Sequence, residues 1–213
     1  MRLFLASYQF GAFADRLASL VAGPGAVAVI PNAMDGWPDW RTAAVATDTR
    51  LLDQHGYSPS VVDLRDFVDD AAGLEARLRE FPLVWVRGGN TFVLRAQFAR
   101  SGADSVLPRL LREDALAYAG YSAGACVLSP DLHGIELADD PNEVFPATRR
   151  EPQWDGLGLI DRPMVVHLDS PTDPDGACGR MRDRLVAEGV EHYALTDADV
   201  LVVDGERTEL LRG

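Results

Sequence analysis

The stretch Ala-Leu-Ala-Tyr-Ala-Gly-Tyr-Ser-Ala-Gly-Ala-Cys-Val-Leu, residues 115–128, decides the fold that we expect for this chain. Its first half, residues 115–121, is a short apolar run typical of a buried strand, and residues 123–128 can open a helix. Between them, Gly-Tyr-Ser-Ala-Gly (residues 120–124) matches the nucleophile-elbow pattern G-x-S-x-G. Small neighbours permit the sharp turn, and a helix N-terminus stabilises negative charge that develops beside the hydroxyl. The stretch therefore predicts a strand–turn–helix unit with Ser122 as a candidate nucleophile.

Stretches of strand and helix character alternate on both sides of this unit. Predicted strands cover residues 2–8, 26–30, 60–64, 83–86 and 164–167, and a terminal hairpin covers residues 197–203 and 208–211. Predicted helices cover residues 10–22, 40–55, 71–80, 90–100, 104–112 and 180–188. The alternation predicts an α/β fold as a single domain over residues 1–213, a three-layer sandwich whose central sheet is mainly parallel. Because ligands bind beyond the C-terminal ends of such strands, we expect a site on the loops after Val86, Tyr121 and Val166.

Residues 131–163 interrupt this alternation. They are rich in proline, aspartate and glycine and show little periodicity. Long loops in compact domains usually carry function, so we expect functional residues in this excursion.

A serine nucleophile needs a base at neutral pH, and the chain has four histidines. His167 follows the apolar residues 164–166, so we expect it at the same sheet edge as Ser122 and take it as the base. His133, inside the excursion, is the alternative. An acid must orient the base, and composition leaves the choice open among the excursion's carboxylates, which are Asp131, Glu136, Asp139 and Asp140.

A second loop, Arg-Gly-Gly-Asn (residues 87–90), follows another predicted strand. Its two glycines let the backbone approach a ligand closely, and their N–H groups are candidate donors to an oxyanion. Asn90 can cap the helix that follows.

The composition excludes several classes of partner. The formal net charge is −13, and all 20 basic residues are arginine. This balance argues against nucleic acid, because affinity for phosphates rests on basic surface. The two cysteines and four histidines lack metal-ligand spacing, so we expect neither a metal nor another cofactor. No apolar run approaches the ~18 residues of a membrane span and no signal-peptide pattern is present, so we expect a cytoplasmic protein without a membrane partner.

The motifs in this order resemble a known family. Val-Arg-Gly-Gly-Asn-Thr-Phe (residues 86–92), Gly-Tyr-Ser-Ala-Gly-Ala (residues 120–125) and a histidine after an apolar strand are similar to peptidase E, the aspartyl dipeptidase family. The resemblance runs over roughly residues 1–205. It implies a flavodoxin-like sandwich, related to class I glutamine amidotransferases and to cyanophycinase, and a triad of serine, histidine and an acid.

Carried over by position, the resemblance makes Ser122 the nucleophile and His167 the general base. It implies backbone N–H groups of Gly89 and Ala123 as oxyanion donors, with Gly88 shaping the loop.

The triad acid of the family lies shortly after the elbow. The segment at residues 134–141, Gly-Ile-Glu-Leu-Ala-Asp-Asp-Pro, is similar to the form with glutamate, so Glu136 is the expected acid. Asp139 and Asp140 remain alternatives.

The resemblance implies a short peptide substrate, with an acidic N-terminal residue in the aspartyl dipeptidases. Arg87, Arg180 and Arg184 are the candidates for holding its carboxylate. A related hydrolase acting on an isopeptide or small amide, or a non-catalytic binding protein of the same fold, is the alternative function. We expect a monomer or a homodimer.

Overall fold

Nine strands and eight α-helices form the chain, and the computed structural model describes all 213 residues. The strands are β1 (Arg2–Ala6), β2 (Ala26–Ile30), β3 (Ser58–Val61), β4 (Leu83–Val86), β5 (Ala117–Tyr121), β6 (Met164–Leu168), β7 (Tyr193–Thr196), β8 (Val200–Asp204) and β9 (Arg207–Leu211). The helices are α1 (Ala14–Leu20), α2 (Pro38–Gln54), α3 (Ala71–Leu78), α4 (Thr91–Ser101), α5 (Ala103–Arg112), α6 (Ala123–Cys126), α7 (Val144–Thr148) and α8 (Ala177–Ala187). None of the helices combines the length and apolar composition that a membrane span requires.

Seven strands form the main sheet, in the order β3-β2-β4-β5-β1-β8-β9. The five strands from β3 to β1 pair in parallel, and β8 and β9 add an antiparallel hairpin beside β1. The predicted α/β fold with a mainly parallel sheet is confirmed.

Strand β4 shows how the sheet divides the core. Leu83 and Trp85 point to the side that carries α1 and α2, and Val84 and Val86 point to the side that carries α3, α4 and α5. All four side chains are buried because helices cover both faces. The three layers of the predicted sandwich are therefore present.

Strand β6 does not join the main sheet. It pairs in parallel with β7 alone, in a separate two-stranded sheet. The prediction that His167 and Ser122 emerge at the edge of one sheet is therefore wrong. The apolar run at residues 164–166 indicates a strand, but periodicity carries no information about the strand with which it pairs.

The excursion between α6 and β6 folds into short turns. It contains two 3-10 turns, Ile135–Leu137 and Pro141–Glu143, followed by α7. The excursion is tied to the start of α4, where the Thr91 N–H donates to Asp139 Oδ2 over 2.8 Å.

Candidate active site

Ser122 occupies the sharp turn between β5 and α6. Its φ is 52° and its ψ is −122°, a conformation that costs a non-glycine residue on the order of 1–3 kcal/mol. Hydrogen bonds hold the turn: the Ser122 N–H donates to the Ala6 carbonyl over 3.2 Å, and the N–H groups of Ala125 and Cys126 each donate to the Ser122 carbonyl over 2.9 Å. The predicted strand–turn–helix unit is present.

Two glycines explain how the turn packs so tightly. A Cβ on Gly124 would lie 2.2 Å from the carbonyl oxygen of Val86, so α6 rests directly on β4. A Cβ on Gly88 would lie 2.7 Å from the Cβ of Ser122. The double-glycine loop after β4 therefore lies against the serine side chain.

The same packing leaves backbone donors beside the hydroxyl. The N–H groups of Gly88 and Gly89 make no hydrogen bond within the chain. Ala123 is the first residue of α6, a position whose N–H has no partner inside a helix. Such a cluster of N–H groups can stabilise an oxyanion.

His167 belongs to β6, and its φ of 56° is also positive. Its backbone N–H donates to Ser7 Oγ over 2.8 Å, and its Nδ1 lies 2.7 Å from Asp197 Oδ1. A carboxylate beside Nδ1 fixes the tautomer that carries its proton there. Nε2 is then the basic nitrogen.

Asp197, which follows β7, is half-buried and fully hydrogen-bonded. Oδ1 also accepts from Ser7 Oγ over 3.1 Å, and Oδ2 accepts from Ser170 Oγ. Burial alone would raise the pKa of Asp197, but the hydrogen bonds from Ser170 and His167 outweigh it and hold the pKa below its usual value. The carboxylate is therefore charged at neutral pH and suited to orient an imidazole.

The parallel pairing of β6 with β7 brings this acid to the histidine. Leu168 lies opposite Thr196, so the C-terminal ends of both strands meet at one edge. Asp197 is not among the site residues predicted from the sequence, because it falls inside the predicted terminal hairpin at residues 197–203. The available signal was an acid directly after the short run Tyr-Ala-Leu-Thr at residues 193–196.

Glu136, the acid expected from the sequence, is not in contact with His167. Its Oε1 accepts from Arg184 Nη1 over 2.9 Å, and its Oε2 accepts from the Gly134 N–H over 2.5 Å. Because Glu136 lies within a 3-10 turn, its side chain folds back on that turn, and α8 supplies the arginine that pairs with it.

The other acids of the excursion do not contact His167 either. Asp140 accepts from the Asn142 N–H over 2.9 Å, and Asp131 pairs with His133 over 2.6 Å. Asp139 bonds Thr91, but it alone of the four lines a cavity together with His167.

That cavity has a volume of about 560 Å³ and brings most of the expected site residues together. Its walls include Ser122, His167, Gly88, Gly89, Asp139, Arg87 and Arg180, with Tyr8, Met34, Trp37 and Leu137 as apolar surface. The Ser122 hydroxyl makes no hydrogen bond to His167. Catalytic hydrogen bonds are often long in unliganded enzymes and tighten when substrate binds.

The two arginines of the cavity differ in their partners. Arg87 donates to Asp48 Oδ1 over 2.5 Å and to the Ala44 carbonyl over 3.0 Å. Arg180 is exposed and donates to the backbone carbonyl of Asp175. Arg180 is thus the only cavity guanidinium without a carboxylate partner.

Asn90 is fully buried and does not line the cavity. Its Oδ1 accepts from the N–H groups of Phe92 and Val93 over 2.9 Å and 3.1 Å, which confirms the expected helix cap.

A mostly parallel α/β sheet with a strained serine between strand and helix defines the class: this is an α/β protein with a nucleophile elbow of the serine-hydrolase type. The chain belongs to peptidase family S51, whose sequence profile matches residues 7–211.

Individual relatives agree with this assignment. An uncharacterized peptidase of Listeria innocua is 32% identical over 110 residues, which cover 52% of this chain and 50% of the relative, so the match spans about half the length of that protein. A probable alpha-aspartyl dipeptidase of Drosophila melanogaster is 28% identical over 173 residues, 76% of this chain and 69% of the relative. Among solved structures, a peptidase E candidate of Listeria monocytogenes EGD-e shares the fold, with a TM-score of 0.77, 23% identity and coverage of 100% of this chain and 98% of that one.

Proposed function

We propose that this chain is a serine peptidase that hydrolyses short peptides, with Ser122 as the nucleophile, His167 as the general base and Asp197 as the orienting acid. The observation that carries the proposal is the 2.7 Å contact between Asp197 Oδ1 and Nδ1 of His167, whose side chain lines the same cavity as the strained Ser122. Membership of a peptidase family supports the same reading.

The reaction proceeds by acyl transfer. Nε2 of His167 takes the proton of the Ser122 hydroxyl as the oxygen attacks the scissile carbonyl. The imidazolium, stabilised by Asp197, then protonates the leaving amine. A water molecule, activated by the same imidazole, hydrolyses the acyl-enzyme and regenerates the serine.

Backbone groups stabilise the tetrahedral intermediate. The donors in this proposal are the N–H groups of Gly89 and Ala123, which belong to the two loops that meet at Ser122, where Gly88 packs against the serine. Each such donor contributes about 3–4 kcal/mol to the transition state of acyl transfer.

Arg180 favours an acidic N-terminal residue. It is the one cavity guanidinium that no carboxylate neutralises, so a substrate carboxylate can pair with it. Arg87 is less suited, because its guanidinium already forms an ion pair with the Asp48 carboxylate. The relative from Drosophila bears the name of an aspartyl dipeptidase, which agrees with this preference.

The test is hydrolysis of a panel of aminoacyl p-nitroanilides, including the aspartyl derivative, by wild type and by Ser122→Ala. We expect activity that disappears with the serine and that is highest on the aspartyl compound. Equal rates on acidic and neutral residues would remove the proposed role of Arg180 and leave the peptidase in place. Absence of turnover together with failure of a fluorophosphonate probe to label Ser122 would contradict the peptidase itself.

A further inference from the structure

A peptide that is cleaved after its first residue carries its α-ammonium group close to the bond that breaks. The nitrogen lies about 2.5 Å from the carbonyl carbon that Ser122 attacks, by the standard geometry of the backbone. An ammonium group that leaves water needs an anionic partner. If such peptides are the substrates, a premise that rests on the function proposed above, the wall beside Ser122 must offer a free carboxylate oxygen.

Three carboxylates line the cavity, and two of them are unsuited. Asp173 uses both oxygens to cap α8, accepting from the N–H groups of Ala177 and Cys178 over 2.8 Å and 2.9 Å. Asp175 is exposed, so bulk water screens it. Asp139 is the third.

Asp139 has one oxygen bound and one free. Oδ2 accepts from the Thr91 N–H over 2.8 Å. Oδ1 accepts no hydrogen bond from the chain and remains accessible to solvent. Together with Ser122 and His167, Asp139 also lines an adjoining recess of about 40 Å³. The half-buried carboxylate is therefore open to the space in which the reacting end of a peptide would lie.

The segment that carries Asp139 is held in place from two sides. Asn90 Nδ2 donates to the Asp140 carbonyl over 2.9 Å and to Glu143 Oε2 over 2.9 Å. Trp37 Nε1 donates to the other oxygen of Glu143 over 2.9 Å. A group fixed in this way loses little conformational entropy when a ligand binds.

From this geometry we infer that Asp139 is the acceptor for the α-ammonium group of the substrate, and that it restricts the enzyme to peptides with a free N-terminus.

The ionisation of Asp139 is consistent with this role. Burial raises the pKa of Asp139 to about 6; Glu143 adds to the rise, and the Thr91 hydrogen bond and His167 oppose it. The carboxylate is charged at pH 7.5, and its incomplete solvation makes a cationic partner more favourable than for an exposed acid.

The test measures binding and therefore does not depend on turnover. Titration calorimetry at pH 7.5 measures the dissociation constants of two pairs of ligands for the Ser122→Ala variant. The first pair is alanyl-leucine and propionyl-leucine, and the second is aspartyl-leucine and succinyl-leucine. The members of each pair differ only in the α-amino group. We expect the amine of each pair to bind about 10- to 100-fold more tightly, the range of a charge-assisted hydrogen bond. Asp139→Asn, which retains an acceptor for Thr91, should abolish this preference.

Asp140→Asn is the matched control, because the Asp140 side chain caps Asn142 over 2.9 Å and does not line the cavity. It should keep the full preference. The inference is overturned if amine and desamino ligands bind equally, if neither pair binds, or if Asp139→Asn weakens both members of a pair to the same extent. If the amine ligands bind more tightly but the wild-type protein shows no hydrolysis that depends on Ser122, the proposed reaction is contradicted and the inference about Asp139 stands.

Discussion

Ser122 and His167 reach one cavity from two sheets that hold them by different forces. Ser122 follows β5, which has parallel neighbours on both sides within the seven-stranded sheet. Its turn is fixed by backbone packing, since Gly124 lies directly against a carbonyl of β4. His167 belongs to a two-stranded sheet, and the side chains of Ser7 and Asp197 fix it by hydrogen bonds.

Backbone packing therefore sets the position of Ser122, whereas side-chain hydrogen bonds set the orientation and the tautomer of His167. The position of the serine depends on packed backbone, which survives the loss of the hydroxyl itself. Met164, Val165 and Leu195 pack the two-stranded sheet into the main core, but the imidazole of His167 is oriented by polar contacts that one substitution can remove. We therefore expect substitutions on the two sides to have distinguishable effects on rate and stability.

The largest effect is expected on the nucleophile side. Ser122→Ala should lower kcat/KM on the preferred aminoacyl p-nitroanilide by on the order of 10⁵- to 10⁶-fold, because the acyl-enzyme cannot form. The free energy of unfolding in urea should change by less than about 0.5 kcal/mol, since the backbone packing is untouched. Residual activity of more than a few per cent would place the nucleophile elsewhere.

On the base side, Asp197→Asn should lower kcat by about 10³- to 10⁴-fold with KM nearly unchanged. The amide favours the wrong tautomer of His167 and cannot stabilise the imidazolium. Steady-state kinetics at saturating substrate measure the loss.

Glu136→Gln is the control for this comparison. Glu136 pairs with the exposed Arg184 and not with His167, so kcat should change by less than about twofold, as for other exposed ion pairs. A large loss in Glu136→Gln, with little in Asp197→Asn, would reverse the choice of acid.

The sequence predicts the nucleophile side well because its signals are local. The bounds of β2 and β4 match the prediction, since strands buried on both faces are continuous apolar runs between turn residues. The elbow is recognisable because close packing tolerates only glycine at position 124.

The base side is less predictable because its contacts join distant parts of the chain. Asp197 and His167 are 30 positions apart, and they meet only through the pairing of β6 with β7. The four-residue β7 is too short to show a period. Glu136 was the expected acid because the family pattern gave its position along the excursion, whereas its partner, Arg184, comes from a helix 48 positions away.

A further substitution tests the residues that pack beneath Ser122. Asp48 is fully buried and accepts from Arg87 Nη1 over 2.5 Å, from the Tyr121 hydroxyl over 3.0 Å and from Trp85 Nε1 over 3.1 Å. Asp48→Asn leaves the mostly buried guanidinium of Arg87 without its counter-ion and should lower the free energy of unfolding by about 3 kcal/mol. Because Tyr121 and Arg87 precede the serine turn and the double-glycine loop, kcat should fall as well, by about tenfold.

Removal of both charges separates the ion pair from the packing. In the double variant Asp48→Asn with Arg87→Met, the unpaired charge is gone, so at least about 1 kcal/mol of the lost stability should return. Urea unfolding of the two single variants and the double variant completes the cycle. Strictly additive losses would show that Asp48 does not act through Arg87.

The smallest effect is expected at the cavity wall, which Asp139 lines together with both Ser122 and His167. Because burial raises the pKa of Asp139 from 3.8 to about 6, the folded state binds a proton more tightly than the unfolded chain. Its contribution to stability is therefore fully present below pH 3.8 and is lost as the pH rises through 6. Asp139→Asn removes this dependence, so its free energy of unfolding relative to wild type should rise by about 1–2 kcal/mol between pH 4.5 and pH 7.5. Urea unfolding of both proteins at the two pH values measures the difference in free energy of unfolding between variant and wild type. If that difference stays constant with pH, Asp139 titrates alike in the folded and unfolded states. Its carboxylate would then be as well solvated as an exposed acid.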